Sequence, residues 1–361
     1  MMTGKERFEA ALRQQPVDRL PFWVKIFGNA FLQHQPEPYR SMSELELVDH
    51  LELDHMASGP APVVGRTDRV TRRVSEKEGR RTVLLETPDG TLRSVEGYAP
   101  ASDSWHPLEF PIRTTADLRA ARHLFAATRY EVHDELRQRG EAKLAAVGER
   151  GITTTGMGIS PLMELLQHLC GVQGTYLMLE DHPAEVEELI QLMHEDRLRF
   201  LAAMLPACPY EWVVCVENTS TTLLSPAVFE RYCWKHLHDY GQAIHRHGKQ
   251  QILHQCGHLK ALLPRIAELP AIAIEAYTTP PVGNTTLADR GRLCPNLAVI
   301  GGTNAALWPR SAEAICREVE SDLEAAGSIR GVVLTSAGVL PPSAGVEKVK
   351  QVRDWARRIT W

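Results

Sequence analysis

Nowhere in its 361 residues does the sequence hold an apolar run long enough to span a bilayer. Its opening, MMTGKERFEAALRQQPVDR, reads as a charged amphipathic helix and lacks the apolar core of an export signal, so a cytoplasmic location is expected. No block rich in lysine or arginine occurs, and 40 basic against 45 acidic residues leave a net charge of -5. That balance lacks the electrostatic footprint of a nucleic-acid binder. Seven cysteines, at 170, 208, 215, 233, 256, 294 and 316, are odd in number and scattered, which is no disulfide framework. The GxGxxG spacing is absent too: VIGGTN follows a strand-like run but has the wrong spacing for a dinucleotide fold. No repeat or low-complexity linker argues for separate domains.

What is present is a hydrophobic content of 43% and a charged content of 24%, enough for one large core. Residues 66–99, which include VSEKEGRRTVLLETPDGTLRSV, alternate in character and are broken at KEG and PDG. Asp-Gly is a strong turn signal, so a small antiparallel meander is expected there. From about residue 115 helical and strand-like segments alternate; TTADLRAARHLFA reads as a helix and KLAAVGERGITTTG as strand material. Further on, YEWVVCVEN, KQQILHQCG, AIAIEAY, LAVIGGTN and IRGVVLTSAG are each followed by a helical run. Five such units in series mean parallel strands covered by helices. With earlier units added, an α/β fold of the (β/α)8 barrel type accounts best for residues 1–361 as one domain carrying the 66–99 insertion. A doubly wound sheet is the second choice.

In a barrel the chemistry gathers where strands end, on the carboxyl face. Glu217 and Asn218 end one strand, His254 and Cys256 the next, Glu275 and Tyr277 the next. Gly302, Thr303 and Asn304 end another, and residues 336–338 the last. A thiolate and an imidazole are good ligands for zinc. Zinc needs at least one further protein donor, and Glu217 and Glu275 are the nearest in topology. These two carboxylates are also the candidate catalytic groups, with Asn218, Tyr277 and Asn304 as candidate contacts to a cofactor. A Cys-His nucleophilic pair and an inert, packed pair stay open as alternatives.

The chain resembles the uroporphyrinogen decarboxylase superfamily of barrels, which includes zinc-dependent corrinoid and thiol methyltransferases. The resemblance runs from RFEAALRQQPVDRLPFW and WHPLEFPIRTTADL through HGKQQILHQCGHLKALLPRIAEL to VIGGTNAALW and GVVLTSAGVLPPSAGVEKVKQV. True porphyrinogen decarboxylases carry an arginine-bearing motif after the first strand. The matching stretch here, PFWVKIFGNAFLQHQ, has Lys25 and no arginine before Arg40, so the expected carboxylate clamp is missing. The methyltransferase branch is the closer likeness, because it places His-x-Cys where His254 and Cys256 stand.

That likeness implies a zinc that deprotonates an acceptor thiol, and a methyl group delivered by a small donor or a corrinoid, with folate as another acceptor. It also implies a second cysteine ligand in the last strand-loop, where this chain has Gly338 within TSAGVLPP. No corrinoid-binding segment is recognisable, so a corrinoid is expected on a separate protein, and a homodimer is expected from the likeness. The alternatives are a metal-dependent lyase or decarboxylase acting on a small organic acid and a non-catalytic corrinoid- or tetrapyrrole-binding protein.

Overall fold

The computed structural model describes residues 1–26, 30–100 and 104–360. Part of the apolar run FWVKIFG expected near the amino terminus, residues 27 and 28, lies outside the described residues. The strands are β1 (Phe22–Trp23), β2 (His55–Gly59), β3 (Val63–Thr67), β4 (Thr71–Lys77), β5 (Arg80–Thr87), β6 (Gly90–Ala99) and β7 (Ser104–Glu109). They continue as β8 (Thr128–Val132), β9 (Gly151–Gly158), β10 (Trp212–Val216), β11 (Gln250–His254), β12 (Ala273–Tyr277), β13 (Ala298–Gly301) and β14 (Val332–Thr335).

Eight of these strands form one parallel sheet in the order β1-β14-β13-β12-β11-β10-β9-β2, nearly closed into a barrel with helices around it. The five strands from β10 onward are those the alternating pattern predicts. Between β1 and β2 the ring is drawn together by Asp54. Its backbone N donates to Phe22 O (3.1 Å) and its carboxylate accepts from Phe22 N (2.9 Å). Arg7 from the first helix, Gly4–Leu12, donates to the same carboxylate at 2.5 Å.

Strand register explains what fills the barrel. Val214, Ile252, Ala273 and Ala298 pair in sequence across β10 to β13, so their side chains share one inward layer. Ile252, Ala273 and Ala298 form a core with Trp23, Ile152, Trp212, Ile300 and Val333, and Phe8 and Leu12 of the first helix join it. Two residues further along the strands, Val216, His254 and Glu275 pair in the same way. An apolar layer therefore carries a polar layer directly above it, on the carboxyl side.

The chain divides into two units. The first comprises residues 1–61, 135–157 and 208–361 and holds the barrel. The second comprises residues 62–134 and 158–207. In it β4 to β7 make a four-stranded antiparallel sheet, and β3 pairs with β8. The meander expected over 66–99 is present and runs on through β7. Its first turn is the two-residue loop Glu78 and Gly79, both with positive φ, which matches the twist of the flanking strands. Trp105 lies in this sheet, against Tyr98 and with Arg81 4.0 Å from its ring centroid.

Two local readings differ. Residues 143–147, expected as strand material, end the helix Asp134–Val147, and the strand starts at Gly151. The buried residues of this helix, Gly140 and Val147, stand seven apart, about two helical turns, a spacing that the short apolar run conceals. The run after Pro161 is helical as expected but loosens into a π turn over Leu165–Leu169, where Cys170 N donates to Leu165 O. Among the described residues no helix is long and apolar enough to cross a membrane.

Candidate functional site

A cavity of about 540 Å³ opens at the carboxyl end of the barrel strands. Trp23, Met56, Val214, Val216, Val282 and Val339 supply most of its wall, and Lys25, His254, Cys256 and Glu275 supply its charge and its thiol. Pockets of this size suit a small molecule.

Glu275 is the hub. It is 3% exposed, and its register partner on β11 is His254. His254 Nδ1 donates to Glu275 Oε2. Lys25 Nζ, two residues beyond the inward-facing Trp23, lies 2.5 Å from Oε1 in an ion pair. Lys25 is itself 5% exposed, so all three charges sit in a low-dielectric floor.

The environment sets the protonation states. Burial works against a charged His254, but hydrogen bonds with Cys256 and Glu275 outweigh it and raise the imidazole from 6.5 to about 9. Burial likewise pushes the Glu275 carboxyl up, yet the His254 hydrogen bond and the His254 and Lys25 charges outweigh that and leave it below its ordinary value. At neutral pH the floor is thus an ammonium, a carboxylate and an imidazolium in a row. The imidazole has its Nδ1 fixed by a carboxylate, which orients Nε2 as a defined donor.

Cys256, next inward on the same chain segment, lines the cavity, and its thiol donates to Asn218 Oδ1 at 3.4 Å. Asn218 has a left-handed backbone (φ +52), and its N donates to His254 O at 2.9 Å. It is therefore a brace for Cys256. Trp23 contributes an indole Nε1–H that has no hydrogen-bond partner among the described residues, on a residue of the cavity wall.

The structure brings together His254, Cys256, Glu275 and Asn218, and places Glu217, Tyr277 and Asn304 elsewhere. Val216 shares the inward layer with His254, so Glu217, the next residue, faces away from the cavity. It is fully buried, with its oxygens accepting from Thr219 Oγ1 (3.2 Å) and Cys215 Sγ (3.9 Å). At Tyr277 the register shifts between Glu275 and Tyr277, with Ala276 at φ +61, and the phenol donates to Thr286 O at 2.9 Å. Asn304 ties its loop to the one after β12, donating to Thr279 Oγ1 (3.1 Å) and Pro280 O (2.8 Å) and accepting from Leu307 N (3.1 Å). The residue that sequence reasoning weighed only as a missing arginine is Lys25. Its signal was the period-two step from Trp23, which puts residue 25 on the inner face.

The zinc implied by the resemblance finds two donors here, His254 Nε2 and Cys256 Sγ. Glu275 is engaged on both oxygens and Glu217 is outside the cavity. Residues 337–339 line the cavity with alanine, glycine and valine. Among the described residues no group of three His, Cys, Asp or Glu side chains is placed to hold a metal ion. A resident catalytic zinc has three protein ligands, so this donor set does not fit one.

A ring of parallel strands with a polar floor above an apolar core defines a (β/α)8 barrel whose cavity sits where such barrels carry out chemistry. The sequence profile of the uroporphyrinogen decarboxylase (URO-D) family matches residues 126–359, and the chain belongs to that family. Among curated proteins none matches the sequence. Among solved structures, a methyltransferase from Methanosarcina mazei is similar at 17% identity and a TM-score of 0.61, over 99% of each chain. A putative vitamin-B12 independent methionine synthase from Listeria monocytogenes aligns at 13% identity and a TM-score of 0.41, over 95% of this chain and 98% of that one.

Proposed function

We propose that this chain is a methyltransferase that moves a methyl group from a small donor, or from a methylcorrinoid carried by a separate protein, to a thiol or folate acceptor. The observation that carries the reading is the floor of the cavity. There a carboxylate-anchored imidazole and a thiol stand side by side under apolar walls. The fold is one that a methyltransferase also uses.

For a thiol acceptor the chemistry runs as a displacement. The acceptor gives its proton to solvent on binding and lies as a thiolate against the His254 imidazolium, which Glu275 and Lys25 hold in place. Its sulfur attacks the methyl carbon; the S–C bond forms as the carbon–donor bond breaks, and the donor leaves with the electron pair. Apolar walls strip water from the nucleophile, which speeds attack on carbon. The product thioether is neutral, no longer answers the imidazolium, and leaves. Porphyrinogen decarboxylation fits poorly, because Lys25 is the cavity's one Lys or Arg among the described residues and Glu275 already neutralises it.

The test is to incubate the protein with isotope-labelled methyl donors, methylcobalamin among them, and panels of thiols and folates. A methylated acceptor, formed at least about a hundredfold more slowly by His254→Ala, supports the reading. Release of carbon dioxide or a cleaved fragment without any methylated acceptor would replace it with a lyase acting on a small acid. The His254 imidazolium, which leaves the trio with one net positive charge facing the cavity, is the feature that would favour such a substrate.

A further inference from the structure

We infer that Lys25 is the fixed cation of this site, occupying the electrostatic place of a metal ion, and that the site works without a resident metal. The inference concerns the same cavity as the proposed reaction but does not depend on which group is transferred.

Three observations converge. The carboxylate nearest the His254 and Cys256 pair is Glu275, and Lys25 lies 2.5 Å from the oxygen that His254 leaves open. A metal ion bound to that oxygen would have to compete with the ammonium already on it and would be repelled by it. The loop after β14 lines the cavity with Ala337, Gly338 and Val339, and among the described residues it brings no donor side chain there. Finally, that loop and Lys25 are one hydrogen-bonded unit. Lys25 N donates to Ser336 Oγ (3.1 Å), Ser336 Oγ–H donates to Gly338 O (2.7 Å), and Leu340 N donates to Lys25 O (2.9 Å). The same bonds that aim the lysine therefore fix the donorless loop.

The lack of a third donor is not for want of room. A Cβ built on Gly338 would meet only Ala305 Cβ, at 3.8 Å, and the backbone there is not left-handed. A side chain at 338 is compatible with the fold, and the residue present is glycine. Lys25 is then a positioning residue for Glu275 and, through it, for His254. It keeps the carboxylate ionised against the imidazole and out of reach as a ligand.

The experiment is zinc and cobalt(II) titration of chelator-stripped full-length protein, read by calorimetry and by the cobalt–thiolate absorption band. Circular dichroism checks that each variant is folded. Wild type is expected to bind zinc no more tightly than roughly micromolar and to show no cobalt–thiolate band. Gly338→Cys, which completes a three-donor set, is expected to gain the band and bind zinc on the order of a hundredfold more tightly. Lys25→Met, which releases Glu275, is expected to tighten binding by about tenfold or more. Nanomolar zinc at one ion per wild-type chain, lost in Cys256→Ser, would overturn the inference. So would a folded Gly338→Cys that binds no better than wild type, since the donors would then not converge. Because the readout is metal binding, it separates from the reaction itself: nanomolar zinc leaves methyl transfer standing, and absence of methyl transfer leaves the metal-free site standing.

Discussion

Glu275 holds two cations in a floor that water barely reaches, so removing its charge is the most damaging small change the site can suffer. In Glu275→Gln the Lys25 ammonium and the His254 imidazolium lose their counter-ion while staying buried. An uncompensated buried charge costs on the order of 3 kcal/mol. Urea unfolding at pH 7 should show a loss of that size, and a variant within 0.5 kcal/mol of wild type, a roughly neutral surface-like effect, would mean the three groups are not coupled. The site's sequence legibility divides along the same lines. His254, Cys256 and Glu275 were readable, because strand ends carry a barrel's chemistry and polar residues there stand out against apolar runs. Glu217 obeyed that rule and still faces away, because one residue of parity turns a strand-end side chain to the other side. Lys25 could have been found by parity alone, as the inward neighbour of Trp23.

At the scale of elements, glycines mark where helices and strands approach too closely for a side chain. The helix Lys235–Arg246 lies on β11 through Gly241, where a Cβ would come within 2.6 Å of Gln251 Oε1 and 2.7 Å of Pro270 O. Gly241→Ala would gain about 1 kcal/mol of helix propensity and lose more to overpacking. A net destabilisation of about 1–2 kcal/mol in thermal or urea unfolding is expected; a stabilised variant would show that the helix can shift outward at no cost. The order of the last five strands and their helices came directly from the alternation of short β-branched runs with amphipathic ones. The shift in register at Tyr277 did not. It depends on Ala276 taking a left-handed backbone (φ +61), a conformation that alanine does not advertise in sequence. Asn304 is legible only once the barrel is folded, since its amide nitrogen donates to Thr279 and Pro280 on the neighbouring loop, some two dozen residues away in sequence.

Across the whole molecule two histidines give stability opposite dependences on pH. His55 is buried on β2, with both ring nitrogens lacking a hydrogen-bond partner among the described residues and Glu44 Oε1 4.0 Å away. Burial, with the Lys143 and Arg150 charges and against that of Asp49, lowers it from 6.5 to about 4. Its folded value lies below its unfolded one, so the unfolded chain binds more protons between pH 6.5 and about 4, and stability falls as pH drops through that window. His254 is raised, so its contribution is complete below pH 6.5 and disappears as pH rises towards 9. Each shift corresponds to about 3 kcal/mol. Stability from these two groups should therefore peak near pH 6.5. His55→Leu should flatten the acid limb relative to wild type in urea midpoints taken from pH 4 to 7; an unchanged limb would put that sensitivity elsewhere. The barrel itself was legible from the sequence because five βα units in series repeat one physical pattern. What joins the charges on its floor was not, because Lys25 and Glu275 lie 250 residues apart in sequence and meet only when β1 and β12 share a ring. The most direct test of the account is an NMR titration of the His254 imidazole in metal-free protein. It should remain protonated until close to pH 9; a midpoint at or below 6.5 would contradict the anchored, charged imidazole on which the proposed chemistry rests.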